Sequence, residues 1–362
     1  MSARVSSVDV LRGLTIVAMI LVNTPGTWSH VYAPLLHANW HGYTPTDLIF
    51  PFFLFIVGIS IAFAYKNKKP TLSTYRKIAI RSLKLIGLGL FLNLFLPYYP
   101  FINDLSTVRI PGVLQRIGCV FLITAIVSIH FNWKVILSLI VFVLISYWVW
   151  LGYVPLPDGS LPTFDRAPNN WANYLDVTML KNHTWKADYD PEGLASTIPS
   201  VATALLGVLV GRIILFHHYM KTLVLLSLGV LLIGLGYIWN SWFPINKAIW
   251  SSSFVLVTAG WGTFLLGILY YINDIKKIKI GSVFKYVGSN AIVIYFASSF
   301  ITKVFYLTKI GDTTIHGWLY HTFFTNAISN DKLASFSYAI SVVSFYMIVG
   351  YILYKKKIVI KV

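Results

Sequence analysis

Cysteine is almost absent. Cys119 is the only one, which excludes an intrachain disulfide. Charge is scarce too, at 11% of residues, and acids are scarcer than bases, with 12 Asp and Glu against 29 Lys and Arg. Set against 57% hydrophobic residues and a mean hydropathy of +0.70, so little charge excludes a soluble domain and indicates a polytopic membrane protein. Glycine-rich phosphate-binding motifs of the Walker and dinucleotide types are missing, as is Gly-x-Ser-x-Gly. A nucleotide-motif enzyme and a serine hydrolase are therefore not indicated. There is no internal repeat, heptad pattern or low-complexity tract, which counts against a transporter built from inverted halves.

What the chain has in abundance is long apolar runs. Ten are long enough to cross a bilayer, which takes roughly 17–25 residues. They are Val8–Thr24, Leu48–Tyr65, Ile78–Leu96, Ile110–Phe131, Val135–Val154, Leu194–Phe216, Thr222–Trp242, Ala248–Ile272, Val283–Leu307 and Phe336–Tyr354. The third is the least apolar, because Arg81 and Lys84 lie in its first turns. With the N-terminus in the cytoplasm, 20 of the 29 Lys and Arg fall inside, from Arg4 and Arg12 to Lys355-Lys356-Lys357 and Lys361, while 10 of the 12 acids fall outside. That asymmetry is the usual determinant of orientation. The expected fold is an all-α polytopic membrane protein of about ten helices with both termini inside. Residues 1–362 form a single domain with outer loops at 24–47, 155–193 and 308–335. The first run lacks a small-residue cleavage site, so no removable signal peptide is expected.

The net charge of +17 then faces anionic lipid headgroups rather than nucleic acid. An anionic cofactor is the other target. Lys77, Arg81 and Lys84, at i, i+4 and i+7, make one stripe at the inner end of the third span. Asp9 and Arg12, three apart at the inner end of the first, read as a paired cap that could also meet such a cofactor. Asn290, in Gly288-Ser289-Asn290, could bond a ligand amide or a neighbouring helix.

On the outer side, polar groups stand where a bilayer should keep them out, and such groups usually mark a site. His37 lies between Asn23, which ends the first span, and Asp47, which opens the second, with no Lys or Arg between them. A carboxylate beside an imidazole orients the ring and supports removal of a proton from an amine or hydroxyl attacking a thioester. A surface histidine is the plainer alternative. His37 and His41 are four apart, but Pro34 and the Gly42–Pro45 region oppose a helix and no third ligand shows matching spacing, so zinc is not favoured. Gln115 and Arg116 follow the Pro111-Gly112 break into the fourth span, where the arginine must face the bundle or water, or pair with Asp47 or Glu192. Asp190 and Glu192 open the sixth span, where they could cap its N-terminus. Trp40 and the other loop aromatics suit sugar stacking and equally suit an interfacial belt.

Taken in order, Ser7-Val8-Asp9-Val10-Leu11-Arg12-Gly13, Asn23, His37-Ala38-Asn39-Trp40 with Gly42, Thr44 and Asp47, Arg109-Ile110-Pro111-Gly112-Val113-Leu114-Gln115-Arg116, Asp190-Pro191-Glu192-Gly193, Asn246-Lys247 with Trp250-Ser251, and Gly288-Ser289-Asn290 resemble heparan-α-glucosaminide N-acetyltransferase and its bacterial homologues, within the transmembrane acyltransferase superfamily. The resemblance covers nearly the whole chain. It implies acetyl-CoA as donor, taken from the cytoplasmic side, and an amino-sugar or glycan acceptor on the opposite face, with no metal. The family's active-site histidine falls on His37 and its nearby asparagine on Asn23. Substrate contacts are expected from Trp40, Gln115, Arg116, Asp190 and Glu192. Donor contacts are expected from Asp9, Arg12, Lys77, Arg81, Lys84 and Asn290. A bacterial cytoplasmic membrane is the expected location, and family likeness alone suggests a homodimer. The rival expectation, from another class, is an amino-sugar permease using the same polar cavity.

Overall fold

A computed structural model describes residues 5–66, 68–216 and 220–360. Arg4 and Lys361, placed above on the inner side, lie outside the described residues. Each of the ten expected spans holds one long helix among the described residues. These are α1 (Ser6–Asn23), α2 (Ile49–Tyr65), α3 (Leu72–Leu94), α4 (Val113–His130), α5 (Trp133–Tyr153), α6 (Leu194–Phe216), α7 (Lys221–Trp239), α8 (Ser252–Tyr270), α9 (Ala291–Leu307) and α10 (Asp331–Lys355). Eight of them are long and apolar enough to cross a membrane. Of the other two, α9 is apolar but has 17 residues, and α3 has 23 but carries Arg76, Lys77, Arg81 and Lys84. Almost no sheet is present among the described residues, only a two-residue pair at Lys309–Ile310 and Thr313–Thr314.

Helix starts follow local capping chemistry. The side chains of Thr71, Asn132, Ser251 and Asn330 accept backbone N–H groups at the starts of α3, α5, α8 and α10, satisfying donors that a helix leaves orphaned. One expected span is broken. Val283–Leu307 reads as continuous in sequence, but a short helix at Phe284–Gly288 ends before Asn290 and α9 begins at Ala291.

The centre of the bundle is set by the crossing of α2 with α6. Gly58 lies against the backbone of Ala204 and Gly207 against that of Phe55, and a Cβ at either position would overlap the opposing chain. Small residues at such a crossing replace a hydrophobic driving force with close backbone packing. A second apolar cluster, with Tyr147, Leu151, Phe243 and Ile249, lies beneath the 155–193 segment.

All three long loops meet at one end of the bundle. Trp40 Nε1 donates to Phe164 O (2.8 Å) and Gly42 N to Ile245 O (2.7 Å), while Ile110 N donates to His183 O (3.0 Å) and Gly26 N to Ser335 O (3.1 Å). That end carries Asn23, His37 and Asp47. The far ends of α1, α2 and α3 carry Arg12, Tyr65 and Lys77.

Candidate active site

Thr44-Pro45-Thr46-Asp47 folds as a helical turn leading into α2. Pro45 supplies the first-turn geometry, and Thr44 and Asp47 exchange side-chain-to-backbone bonds as a capping box. This turn buries Asp47, leaving its side chain 1% exposed, and brings its Oδ1 to 2.6 Å from His37 Nδ1. The other carboxylate oxygen, Oδ2, accepts Ala38 N at 3.0 Å, Thr44 N at 3.0 Å and Thr44 Oγ1 at 3.2 Å. With Asp47 Oδ1 as acceptor, Nδ1 carries the proton and Nε2 is left with its lone pair. The His37 side chain is 52% exposed, so a reactant can reach that nitrogen.

A third member of this group was not among the expected site residues. Lys247 Nζ stands 3.3 Å from Asp47 Oδ1 and 3.0 and 3.4 Å from the two ring nitrogens of His37. The expectation that no basic group competes for Asp47 therefore fails, because the competitor comes from 200 residues further along the chain. Burial pulls Lys247 below its ordinary value, against the opposing attraction of Asp47 and Glu192. The turn that presents it is tightly built. Asn246 Oδ1 accepts Ile249 N (3.1 Å), Ser251 Oγ accepts Asn246 N (3.0 Å), and Trp250 takes a left-handed φ of 51°. The side chain of Trp250 is fully buried, and its Nε1 donates to Thr203 Oγ1 (3.1 Å).

Arg116 packs over that indole, its guanidinium carbon 5.1 Å from the ring centroid, with Phe50 at 5.9 Å. It is 2% exposed. It makes no ion pair with Asp47 or Glu192, contrary to one expectation. Instead its Nη2 donates to Gly193 O (3.1 Å) and to Ser196 Oγ, and its Nε and Nη1 have no hydrogen-bond partner among the described residues. The ion pair belongs to Arg109, which forks onto Asp190 (2.8 and 2.6 Å) and also meets Glu192. Burial opposes the charge on Arg109, but its two carboxylate partners win and raise it above its ordinary value. Burial likewise opposes the charge on Glu192, and Arg109 holds it below the usual carboxylate range.

Asp190 and Glu192, expected as substrate contacts or caps, are thus engaged by Arg109. The cap of α6 is Asp176, which accepts Leu194 N (3.0 Å) and Asp190 N (3.1 Å). Gln115 donates to Ile110 O (3.1 Å) and lines a cavity of about 440 Å³ with Asn23, Arg109 and Asn93. No hydrogen bond joins Asn23 to His37 among the described residues. Trp40 meets Tyr189 edge-on, ring centroids 5.2 Å apart, and His41 turns to Asp165 (2.8 Å).

Arg12, Lys77, Arg81, Lys84 and Asn290 line a single cavity of about 630 Å³ at the opposite end. That volume lies within the range of small-molecule sites, about 300–1,000 Å³. Asp9, expected with them, does not line it; it is buried and bonds Arg12 (3.0 Å). Asn290 contributes structure rather than a free amide, donating to Ile358 O (2.9 Å) and accepting Ile360 N (2.9 Å).

A family model described as heparan-alpha-glucosaminide N-acetyltransferase, catalytic, matches residues 4–227. The chain belongs to this family. Heparan-alpha-glucosaminide N-acetyltransferases of Homo sapiens and Mus musculus are 30% and 29% identical to it over 416 aligned positions, covering 98% of this chain and 59% and 60% of theirs. The chain thus spans about three-fifths of the length of these relatives. The family match contains His37, Asp47, Arg109, Arg116, Asp190 and Glu192 and stops short of Lys247 and Asn290.

Proposed function

We propose that this chain is a membrane-embedded acetyltransferase that moves an acetyl group from acetyl-CoA to an amino sugar of the glucosamine type. The donor enters from the cytoplasm and the acceptor waits on the extracytoplasmic face of a bacterial cytoplasmic membrane. The observation that carries this reading is the bond from His37 Nδ1 to buried Asp47 (2.6 Å), which leaves Nε2 as a base.

Two further features support it. The basic cavity offers Arg12, Lys77, Arg81 and Lys84 to the donor's phosphates. The cavity holding Asn23 shares four of its helices, α1, α3, α4 and α9, further along their axes, while α2 lines only the basic cavity. A thioester arm lying along α3 would run from one toward the other. The relatives' printed names supply the acetyl group and the glucosaminide acceptor.

In the proposed step the acceptor nitrogen attacks the thioester carbonyl carbon as His37 Nε2 takes its proton. Collapse breaks the carbon–sulfur bond, and the departing thiolate recovers a proton from the imidazolium. Asp47 holds the ring in the required tautomer, and no metal takes part. Direct transfer needs proton removal at one stage only, so it is preferred to an acetyl-His37 intermediate.

The test is CoA release by the purified chain, with and without glucosamine, for wild type and His37→Ala. Glucosamine-dependent release that disappears in a variant still binding CoA supports the assignment. Absence of acetyl-CoA binding by the wild type would overturn it and favour an amino-sugar permease.

A further inference from the structure

One cavity of the described residues plays no part in the chemistry above. It measures about 890 Å³ and opens at the end of the bundle away from His37, between α5 and α7 with α6 as its floor. Its lining divides sharply. Toward the helix ends stand Lys66, Lys68, His130 and Arg212, and among the described residues no carboxylate lines it. Toward the middle of the helices it is walled by Leu137 of α5, Leu206 of α6, and Leu228 and Leu232 of α7.

Arg212 is partly committed. It donates to Ser128 O (2.8 Å) and Phe131 O (2.9 Å), closing the end of α4, but both bonds use Nη2. Its Nε and Nη1 have no hydrogen-bond partner among the described residues. Lys66 rests over the Phe216 ring, 4.5 Å from the centroid, which directs its stem along the rim. Trp133, 56% exposed at the start of α5, lines the same rim. Exposed tryptophans at helix ends sit at headgroup level, so the cations share the depth of lipid phosphates.

We propose that this cavity binds one anionic phospholipid, its phosphate held by Lys66, Lys68 and Arg212 and an acyl chain lying along α6 between α5 and α7. Charge decides against a second copy of the chain as occupant. A symmetric contact here would bring Lys66, Lys68 and Arg212 of both copies together with no acid to offset them. Basic pockets between membrane helices have the chemistry to take acidic lipid headgroups. The site does not depend on the acetyl-transfer reading, since it shares only Tyr65 with the basic donor cavity.

The experiment uses the detergent-purified full chain and native mass spectrometry, titrating phosphatidylglycerol or phosphatidylcholine with identical acyl chains. Phosphatidylglycerol is expected to bind at one per chain with clear preference. Lys66→Gln with Lys68→Gln should weaken it about 30-fold, the change for losing two near-surface lysine charges. Leu232→Trp, which fills the apolar half and leaves every cation in place, should weaken both lipids. Equal binding of the two lipids, or an unchanged affinity in the double lysine variant, would overturn the proposal. So would displacement of the lipid by free CoA or inorganic phosphate, which would make this a soluble-phosphate site. Loss of the cavity in a dimer, seen as lipid binding that falls as dimer mass appears, would also overturn it.

Discussion

Replacing Asp47 with asparagine tests the proposed chemistry at its narrowest point. The carboxylate's Oδ2 faces three donors, Ala38 N, Thr44 N and Thr44 Oγ1, and its Oδ1 faces His37 Nδ1 and Lys247 Nζ. Two of the three donors on Oδ2 are backbone N–H groups, which cannot become acceptors. In Asp47→Asn the amide oxygen must therefore take the Oδ2 position, and the NH2 group is forced toward His37 and Lys247. His37 can accept that amide only by moving its own proton to Nε2, which removes the lone pair proposed to act as base. General-base catalysis contributes about 10²–10⁴ in rate, or roughly 3–5 kcal/mol of barrier. The variant should lose that factor in single-turnover transfer from acetyl-CoA to glucosamine. It should bind CoA as the wild type does, because the cavity holding Arg12, Lys77, Arg81 and Lys84 is at the other end of the bundle. A folded Asp47→Asn protein that keeps kcat within about threefold of wild type would refute a base oriented by Asp47, since the lower bound for base catalysis is about a hundredfold.

Three other outcomes follow from named contacts. Lys247→Met removes the ammonium from beside Asp47 and His37. Buried Asp47 is then short of one charged partner, which should cost about 1–3 kcal/mol of stability, read by thermal denaturation, with Lys247→Arg close to wild type. Burial pushes Asp176 up to about 6, so between its ordinary value and pH 6 the folded protein holds a proton that the unfolded chain has released. Stability should therefore fall as pH rises from about 4 to about 6, by roughly 3 kcal/mol; denaturation of Asp176→Asn across that window should lack this slope. Gly207→Val sets a side chain into the Phe55 backbone and should cost more than the roughly 1–3 kcal/mol typical of overpacking, read as loss of monodisperse protein at ordinary growth temperature.

Hydropathy alone located all ten long helices, since a membrane span advertises itself through composition over about 20 residues. It missed the break at Asn290, because Gly288, Ser289 and Asn290 dilute the apolar run without ending it. Within the site, His37 and Asp47 were legible as candidates because they lie ten residues apart with no Lys or Arg between them. The role of Asp176 was not legible, since it caps α6 from 18 residues away across a loop without periodic pattern. Lys247 was visible only as part of a motif. Its place beside Asp47 depends on the Gly42 to Ile245 backbone bond, a contact that no local spacing encodes. Asp190 and Glu192 illustrate the opposite error. Acids before a helix usually serve its dipole, but Arg109 reaches them from 81 and 83 residues away and claims both.

The helix that hydropathy ranked last explains how one bundle can hold two such different ends. Lys77, Arg81 and Lys84 of α3 line the basic cavity, and Gly89, Leu92 and Asn93 of the same helix line the cavity with Asn23. Sixteen residues separate Lys77 from Asn93, about 24 Å of helix, enough to reach most of the way across a hydrocarbon layer of about 30 Å. A helix serving both cavities cannot be uniformly apolar. Its stripe of cations must face water or an anion, which costs membrane compatibility, and its packing against α4 must supply the difference. That packing is specific: Ser82 Oγ donates to Gly118 O (2.8 Å), and Gly118 leaves no space for a Cβ against Ile86 and the Ser82 carbonyl. The poor hydropathy of α3 is therefore the sequence-level trace of a helix that lines a polar cavity toward each end. In a permease the polar faces of a path would be expected to match at both ends. Here one end gathers Arg12, Lys77, Arg81 and Lys84 with Asp9 bonded to Arg12, and the opposite end of the bundle carries the Asp47–His37 pair, an asymmetry that suits a donor held at one end and chemistry at the other.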